Sequence, residues 1–141
     1  MKDWRGFTLI ELLLVIALIA ILAGGLVPIV QTSRVQAQQA KATSDLDAIK
    51  SACSLYHTDT GAWPAAGTTG AGLIATDSVG NWNGPYLDAW RNDPWGNPYR
   101  LINGTGTPTP LSAASYGADN ATGGTGANAD TTLIITPDRN R

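Results

Sequence analysis

The sequence predicts an α+β fold: a long N-terminal helix, membrane-apolar in its first half and amphipathic in its second, packed against an aromatic loop region and a small antiparallel sheet of about three strands. Three observations carry this. An apolar run over residues 7–30 passes directly into a polar stretch with helical periodicity. A segment dense in Trp, Tyr, Pro and Gly follows it. Short β-rich runs bounded by turn formers close the chain.

The helix comes first. The 24 residues FTLIELLLVIALIAILAGGLVPIV contain one charge, Glu11. About 20 apolar residues suffice to cross a bilayer as a helix. Lys2 and Arg5 precede the run and Arg34 follows it, which places the N-terminus on the cytoplasmic side. Glu11 is the only Glu in the chain. An acid at membrane depth costs about 2.5–3.5 kcal/mol on the insertion scale, so it either pairs with a cation or is neutralised by a proton. Gly24, Gly25 and Pro28 lie near the end of the run. Pro28 lacks an amide donor and crowds the preceding turn, so a local kink or a melted stretch is expected there.

From Gln31 to about Tyr56 the composition turns polar but stays helix-forming. Val35, Ala42, Leu46, Ile49, Cys53 and Tyr56 recur at spacings of 3, 4 and 7, one apolar stripe of an amphipathic helix. Gly61 and Pro64 are stop signals. Cys53 lies on the stripe and is expected to be a small buried hydrophobe. His57 falls at the helix end, a terminal rather than a catalytic position.

The middle segment holds Trp63, Trp82, Tyr86, Trp90, Trp95 and Tyr99. It lacks regular periodicity, so loops pinned by their rings onto the helix stripe are expected. Asp93-Pro94-Trp95-Gly96 fits a type I turn, with Asp first, Pro second and Gly fourth. Those residues shape a loop. The strand candidates are residues 99–102 and 131–136, with a weaker one at 112–116 between them. A Gly-rich loop over residues 117–130 carries two carboxylates, Asp119 and Asp130, and two side-chain amides, Asn120 and Asn128. By composition alone it is a solvated loop. Calcium needs six to eight oxygens, and the spacing is not that of an EF-hand.

Composition excludes several function classes. The net charge of −2, from 9 Lys+Arg and 11 Asp+Glu, provides no basic surplus for nucleic acid. One Cys forms no internal disulfide, and one Cys with one His cannot make a structural zinc site. No G-x-S-x-G elbow or H-E-x-x-H motif occurs. A membrane-tethered hydrolase is therefore the remotest reading, and the chain is expected not to be an enzyme.

Gly6-Phe7-Thr8-Leu9-Ile10-Glu11, behind a short leader with Lys2 and Arg5, resembles the processing signal of type IV pilins and pseudopilins. In that family a prepilin peptidase cuts after the glycine and methylates the new N-terminus. The resemblance implies cleavage between Gly6 and Phe7 and a leader of residues 1–6. A membrane or filament-core helix follows at 7–30, and a periplasmic head at 31–141 includes the rest of the helix. It also implies that Glu11 pairs with the Phe7 amine of a neighbouring subunit. Pro28 matches the helix proline that family members often carry.

Trp82-Asn83-Gly84-Pro85-Tyr86-Leu87 with Asp93-Pro94-Trp95-Gly96-Asn97-Pro98-Tyr99 is similar to the major pseudopilins of type II secretion. Those proteins bind calcium structurally in the Gly-rich loop, through two aspartates and backbone carbonyls. The resemblance implies Asp119 and Asp130 as ligands, with Asn128 nearby. Asn120 stands where the family usually has Gly, and Asn128 where it often has Asp. The implied function is a filament subunit driving export of folded proteins. The implied partners are further copies of itself, minor pseudopilins and an inner-membrane assembly platform. A type IV pilin for adhesion or motility is the alternative.

Overall fold

The structure is a computed structural model that describes residues 6–104 and 110–136; the side chains of residues 24–30 lie outside the description, as do the leader's Lys2 and Arg5. Helix α1 runs Leu9–Thr60. It is followed by three strands, β1 (Arg100–Asn103), β2 (Leu111–Ser115) and β3 (Thr131–Ile134), with a 3-10 turn at Gly126–Asn128 between the last two. The chain forms two compact units, Met1–Gln36 and Ala37–Arg141.

In the first unit the helix exposes large apolar side chains on every face, from Leu9 at 78% to Ile21 at 76% and Leu22 at 62%, and Phe7 just before it is exposed too. So uniform an apolar surface needs lipid or other helices around it. Among the described residues no helix is long and apolar enough to cross a membrane. The described side chains of the apolar run stop at Ala23, and the rest of the run, 24–30, lies beyond them. The backbone does not melt at Gly24, Gly25 or Pro28, contrary to one of the two forms expected from the sequence. One missing donor leaves the flanking turns bonded, and a helix whose neighbours re-satisfy the backbone tolerates it.

In the second unit the amphipathic stripe is the floor of the core. Ala42, Leu46, Ile49, Cys53 and Tyr56 are buried, and Ala52 joins them. Leu73, Tyr99, Leu101, Leu111, Ala113 and Ile135 complete the core from the loops and the sheet. Helix α1 ends where Gly61, at φ +73°, donates its N–H to the His57 carbonyl at 2.9 Å. His57 stacks on Trp63 with ring centroids 4.1 Å apart. Cys53 is fully buried, and desolvation pushes its thiol up to about 12, so it is an inert core residue.

The sheet is a meander of order β1-β2-β3, antiparallel throughout. Arg100 faces Ala114 in the first pairing and Ser112 faces Ile134 in the second. Ala113 and Leu111 of β2 face the core, and Ile135 closes it beyond β3 by donating to the Leu111 carbonyl at 2.8 Å.

The aromatic segment is indeed loop, held to the helix by rings and hydroxyls. Tyr86 packs edge-on against Tyr56 and Trp82, with centroids 5.7 and 5.9 Å away. Three tyrosine hydroxyls each donate to an aspartate: Tyr56 to Asp77 at 2.7 Å, Tyr86 to Asp59 at 2.9 Å and Tyr99 to Asp45 at 2.9 Å. Burial, reinforced by Asp77, pushes the Tyr56 phenol up to about 12. Burial and then Asp45 raise the Tyr99 phenol still further. Each phenol therefore stays a donor over the physiological range.

Candidate functional site

Two regions carry the residues singled out in the sequence. The first is the entry to α1. Thr8 precedes the first helical residue and Glu11 sits three positions on. The Glu11 carboxylate accepts the Thr8 N–H and the Thr8 hydroxyl, both at 2.9 Å, while the Glu11 N–H points to Thr8 Oγ1 at 3.4 Å. This is a capping box, in which two otherwise orphaned helix-end groups satisfy each other. Its signal, Thr-x-x-Glu before an apolar run, is in the sequence but is masked there by the cost of the buried acid. Within its own chain Glu11 therefore already has a partner, and that partner is Thr8. Phe7 is exposed beside it. Gly6 has no positive φ, and a Cβ added there would meet nothing within 4 Å. Among the described residues nothing requires a glycine at that position.

The second region is the loop between β2 and β3. Asp119 and Asp130 are both exposed and each closes a local turn. Ala121 donates to Asp119 Oδ1 at 3.2 Å, and Gly123 donates to Asp130 Oδ2 at 2.9 Å. The second bond folds Asp130 back over seven residues toward the loop's middle. The arms are tied again where Ala118 donates to the Ala127 carbonyl at 2.9 Å. Asn128 ends the 3-10 turn, its N–H on the Thr125 carbonyl at 3.2 Å. Asn120 adopts φ +53°, the left-handed conformation glycine favours and asparagine tolerates, and its side-chain oxygen accepts from Arg100 at 3.0 Å. Asparagine is thus compatible with the left-handed backbone at this position.

Two carboxylates, two side-chain amides and backbone carbonyls make the loop's donors oxygens, the kind a hard cation takes. Among the described residues no three His, Cys, Asp or Glu side chains form a metal cluster. Calcium takes carboxylates together with backbone carbonyls. Asp119 Oδ2 and Asp130 Oδ1 accept no hydrogen bond from the described residues, so each carboxylate keeps one oxygen for a ligand.

Several residues that hold this loop escaped the sequence reading. Gln39 on α1 donates to the Gly126 carbonyl at 2.8 Å, and Asn97 donates to the Gly117 carbonyl at 2.7 Å. Asp93 is only 5% exposed. Its carboxylate accepts Ser115 Oγ–H at 2.6 Å and the N–H groups of Asn97 and Trp95 at 2.8 and 3.1 Å. The turn itself forms as expected, with Gly96 donating to the Asp93 carbonyl at 3.0 Å and adopting φ +94°. The loop-shaping role of Asp93 was legible; its reach across to β2 was not, because no local pattern encodes a contact 22 residues away.

Known proteins resemble the chain over most of its length. Residues 30–134 match the family model described as type II secretion system protein G, and residues 4–27 match the prokaryotic N-terminal methylation motif. The type II secretion system core protein G of Pseudomonas aeruginosa is 37% identical over 135 residues, covering 92% of this chain and 94% of that protein. That of Vibrio cholerae is 33% identical over 137 residues, covering 92% and 91%. In three dimensions the fold matches the crystal structure of the major pseudopilin of enterohaemorrhagic Escherichia coli at a TM-score of 0.55 and 24% identity, over 71% of this chain and 89% of that one. The methylation motif marks a membrane-associated, pilin-like protein. With a secretion-specific head behind a pilin-type N-terminus, the chain belongs to the type II secretion system protein G family and is a pseudopilus subunit rather than a type IV pilin.

Proposed function

We propose that the chain polymerises through its N-terminal helix into the type II secretion pseudopilus and that growth of this filament drives folded proteins outward. The observation that carries this is the helix that exposes large apolar side chains on every face from Leu9 to Leu22, behind a processing motif. Such a surface is stable in a bilayer before assembly and among neighbouring helices after it. The subunit is a single-pass inner-membrane protein with its head in the periplasm until it is extracted into the filament. Its role is structural, not catalytic. Prepilin peptidase removes residues 1–6 and methylates Phe7, which accounts for a glycine at position 6 that nothing among the described residues requires. In the filament Glu11 leaves Thr8 for the Phe7 amine of a neighbour, compensating two charges at membrane depth. Minor pseudopilins and the inner-membrane platform are the other partners. Deleting the chain from its host should trap folded secreted enzymes in the periplasm, and returning it should restore their export. Unimpaired export in the deletion strain would remove the proposed role.

The head carries one structural calcium, held by Asp119 and Asp130 with backbone carbonyls of the loop and Asn128 alongside. When bound, the ion would neutralise the two carboxylates; the chain supplies the folded turns that present Asp119 and Asp130. Binding to the folded state alone raises stability by mass action, about 2.7 kcal/mol at a hundredfold excess over Kd. Calcium should therefore raise the melting temperature of the full chain in detergent by several degrees. Asp119→Ala should abolish the rise, and a wild-type melting temperature indifferent to chelator would refute the site.

A further inference from the structure

Gly117 is the corner at which β2 becomes the Gly-rich loop. It adopts φ +64°, and a Cβ there would lie 2.8 Å from the Ala127 carbonyl oxygen and from the Asn128 carbonyl carbon. The corner is thus pressed directly against the 3-10 turn that leads to Asp130. Both backbone groups of Gly117 are held by the turn at residues 93–97. Its carbonyl accepts the Asn97 side-chain N–H at 2.7 Å. Its N–H donates to Ser115 Oγ at 3.3 Å, and that hydroxyl in turn donates to the buried Asp93 carboxylate at 2.6 Å.

The turn is itself rigid. Asp93 accepts the Asn97 N–H through its carboxylate at 2.8 Å and donates its own N–H to the Asn97 carbonyl at 2.8 Å. The Asn97 backbone is therefore fixed on both sides, and its side chain projects from a fixed base. Two routes, one through Asn97 and one through Asp93 and Ser115, lead to the same corner. The next residue, Ala118, makes the bond to Ala127 that joins the two arms, and Asp119 follows it.

We infer that Asn97 is a positioning residue for cation binding in the 117–130 loop: from 20 residues away it fixes the Gly117 corner, two residues before Asp119 and packed on the turn that leads to Asp130, without touching the ion. The inference rests on the calcium reading above. Partners that orient metal ligands lower affinity about 10- to 100-fold when removed. The Asn97 donor acts on a ligand-bearing backbone in the same way, through a short bond to a half-buried carbonyl.

Calcium titration calorimetry on the full chain in detergent micelles decides it, with hydrogen exchange on the same samples in chelator. Asn97→Ala should weaken calcium binding at least tenfold. It should also speed exchange of the Ala118 amide in calcium-free protein, with the helix signal in circular dichroism unchanged. Asn97→Ser, polar but too short to reach Gly117, should behave alike and serves if the Ala variant misfolds. A variant that binds calcium as tightly as wild type overturns the inference and leaves the calcium reading standing. Wild-type chain that takes up no calcium overturns the calcium reading, and the inference with it. Unchanged Ala118 exchange in the variants shows that the corner does not depend on Asn97 and overturns the inference whatever the affinities.

Discussion

Replacing Glu11 is expected to abolish filament formation, and the pair of variants Glu11→Ala and Glu11→Gln separates the two roles open to that carboxylate. In the single chain it caps its own helix through Thr8. In the proposed filament it meets the charged amine of a neighbour's Phe7. Alanine removes both. Glutamine keeps the cap, since a capping box accepts Glu or Gln at this position, but carries no charge. The cap alone is worth about 1 kcal/mol. An uncompensated amine at membrane depth costs about 2.5–3.5 kcal/mol on the insertion scale, a cost repeated at every subunit added. Both variants should therefore insert into the membrane normally and yield no filaments by electron microscopy, with export lost to match. Filaments at wild-type abundance with Glu11→Gln would confine Glu11 to its own helix end and dismiss the intersubunit pair.

The second large effect is expected at Asp93, on stability instead of assembly. Its carboxylate is buried and accepts three donors, from Ser115, Trp95 and Asn97. Asp93→Ala leaves a buried hydroxyl and two part-buried backbone N–H groups without that acceptor. Orphaned buried donors cost about 1–3 kcal/mol each, and partial relaxation of the turn brings the total to about 3–5 kcal/mol. Asp93→Asn retains an acceptor for the turn amides, and the Ser115 hydroxyl can rotate to accept from the new amide, so it should cost roughly half as much. Urea unfolding of the full chain in detergent, followed by tryptophan fluorescence, measures both. A loss below 1 kcal/mol for the alanine variant would contradict the assigned network. The same variant breaks the Ser115 route to Gly117 and removes one of the two bonds that fix the Asn97 backbone, so its calcium response should fall as well.

Much of the fold was legible because its signals are local. The 3-4-7 spacing of Val35, Ala42, Leu46, Ile49, Cys53 and Tyr56 gave the buried face of α1, and all but Val35 are buried. Gly61 gave its end, and the β-rich runs gave two strands to within a residue or two, with the weaker run at 112–116 becoming β2. The Gly6–Glu11 motif gave the family before any fold was known. The melted stretch at Pro28 did not appear, because a single lost donor is a weak perturbation on a helix this long.

The apolar helix, its amphipathic continuation, the processing motif and the two carboxylates of the Gly-rich loop can all be read from the order of residues alone. Each depends on residue type at short spacing, which the helix period, the strand period and turn chemistry translate directly. What those elements hold is settled by packing. It turned Glu11 toward Thr8, paired three tyrosines with three aspartates, and hung the 117–130 loop from Asp93 and Asn97. Hydrogen bonds between segments 20 or more residues apart exist only once the core has packed. They depend on where burial brings the donors and acceptors, and composition and spacing carry no record of that.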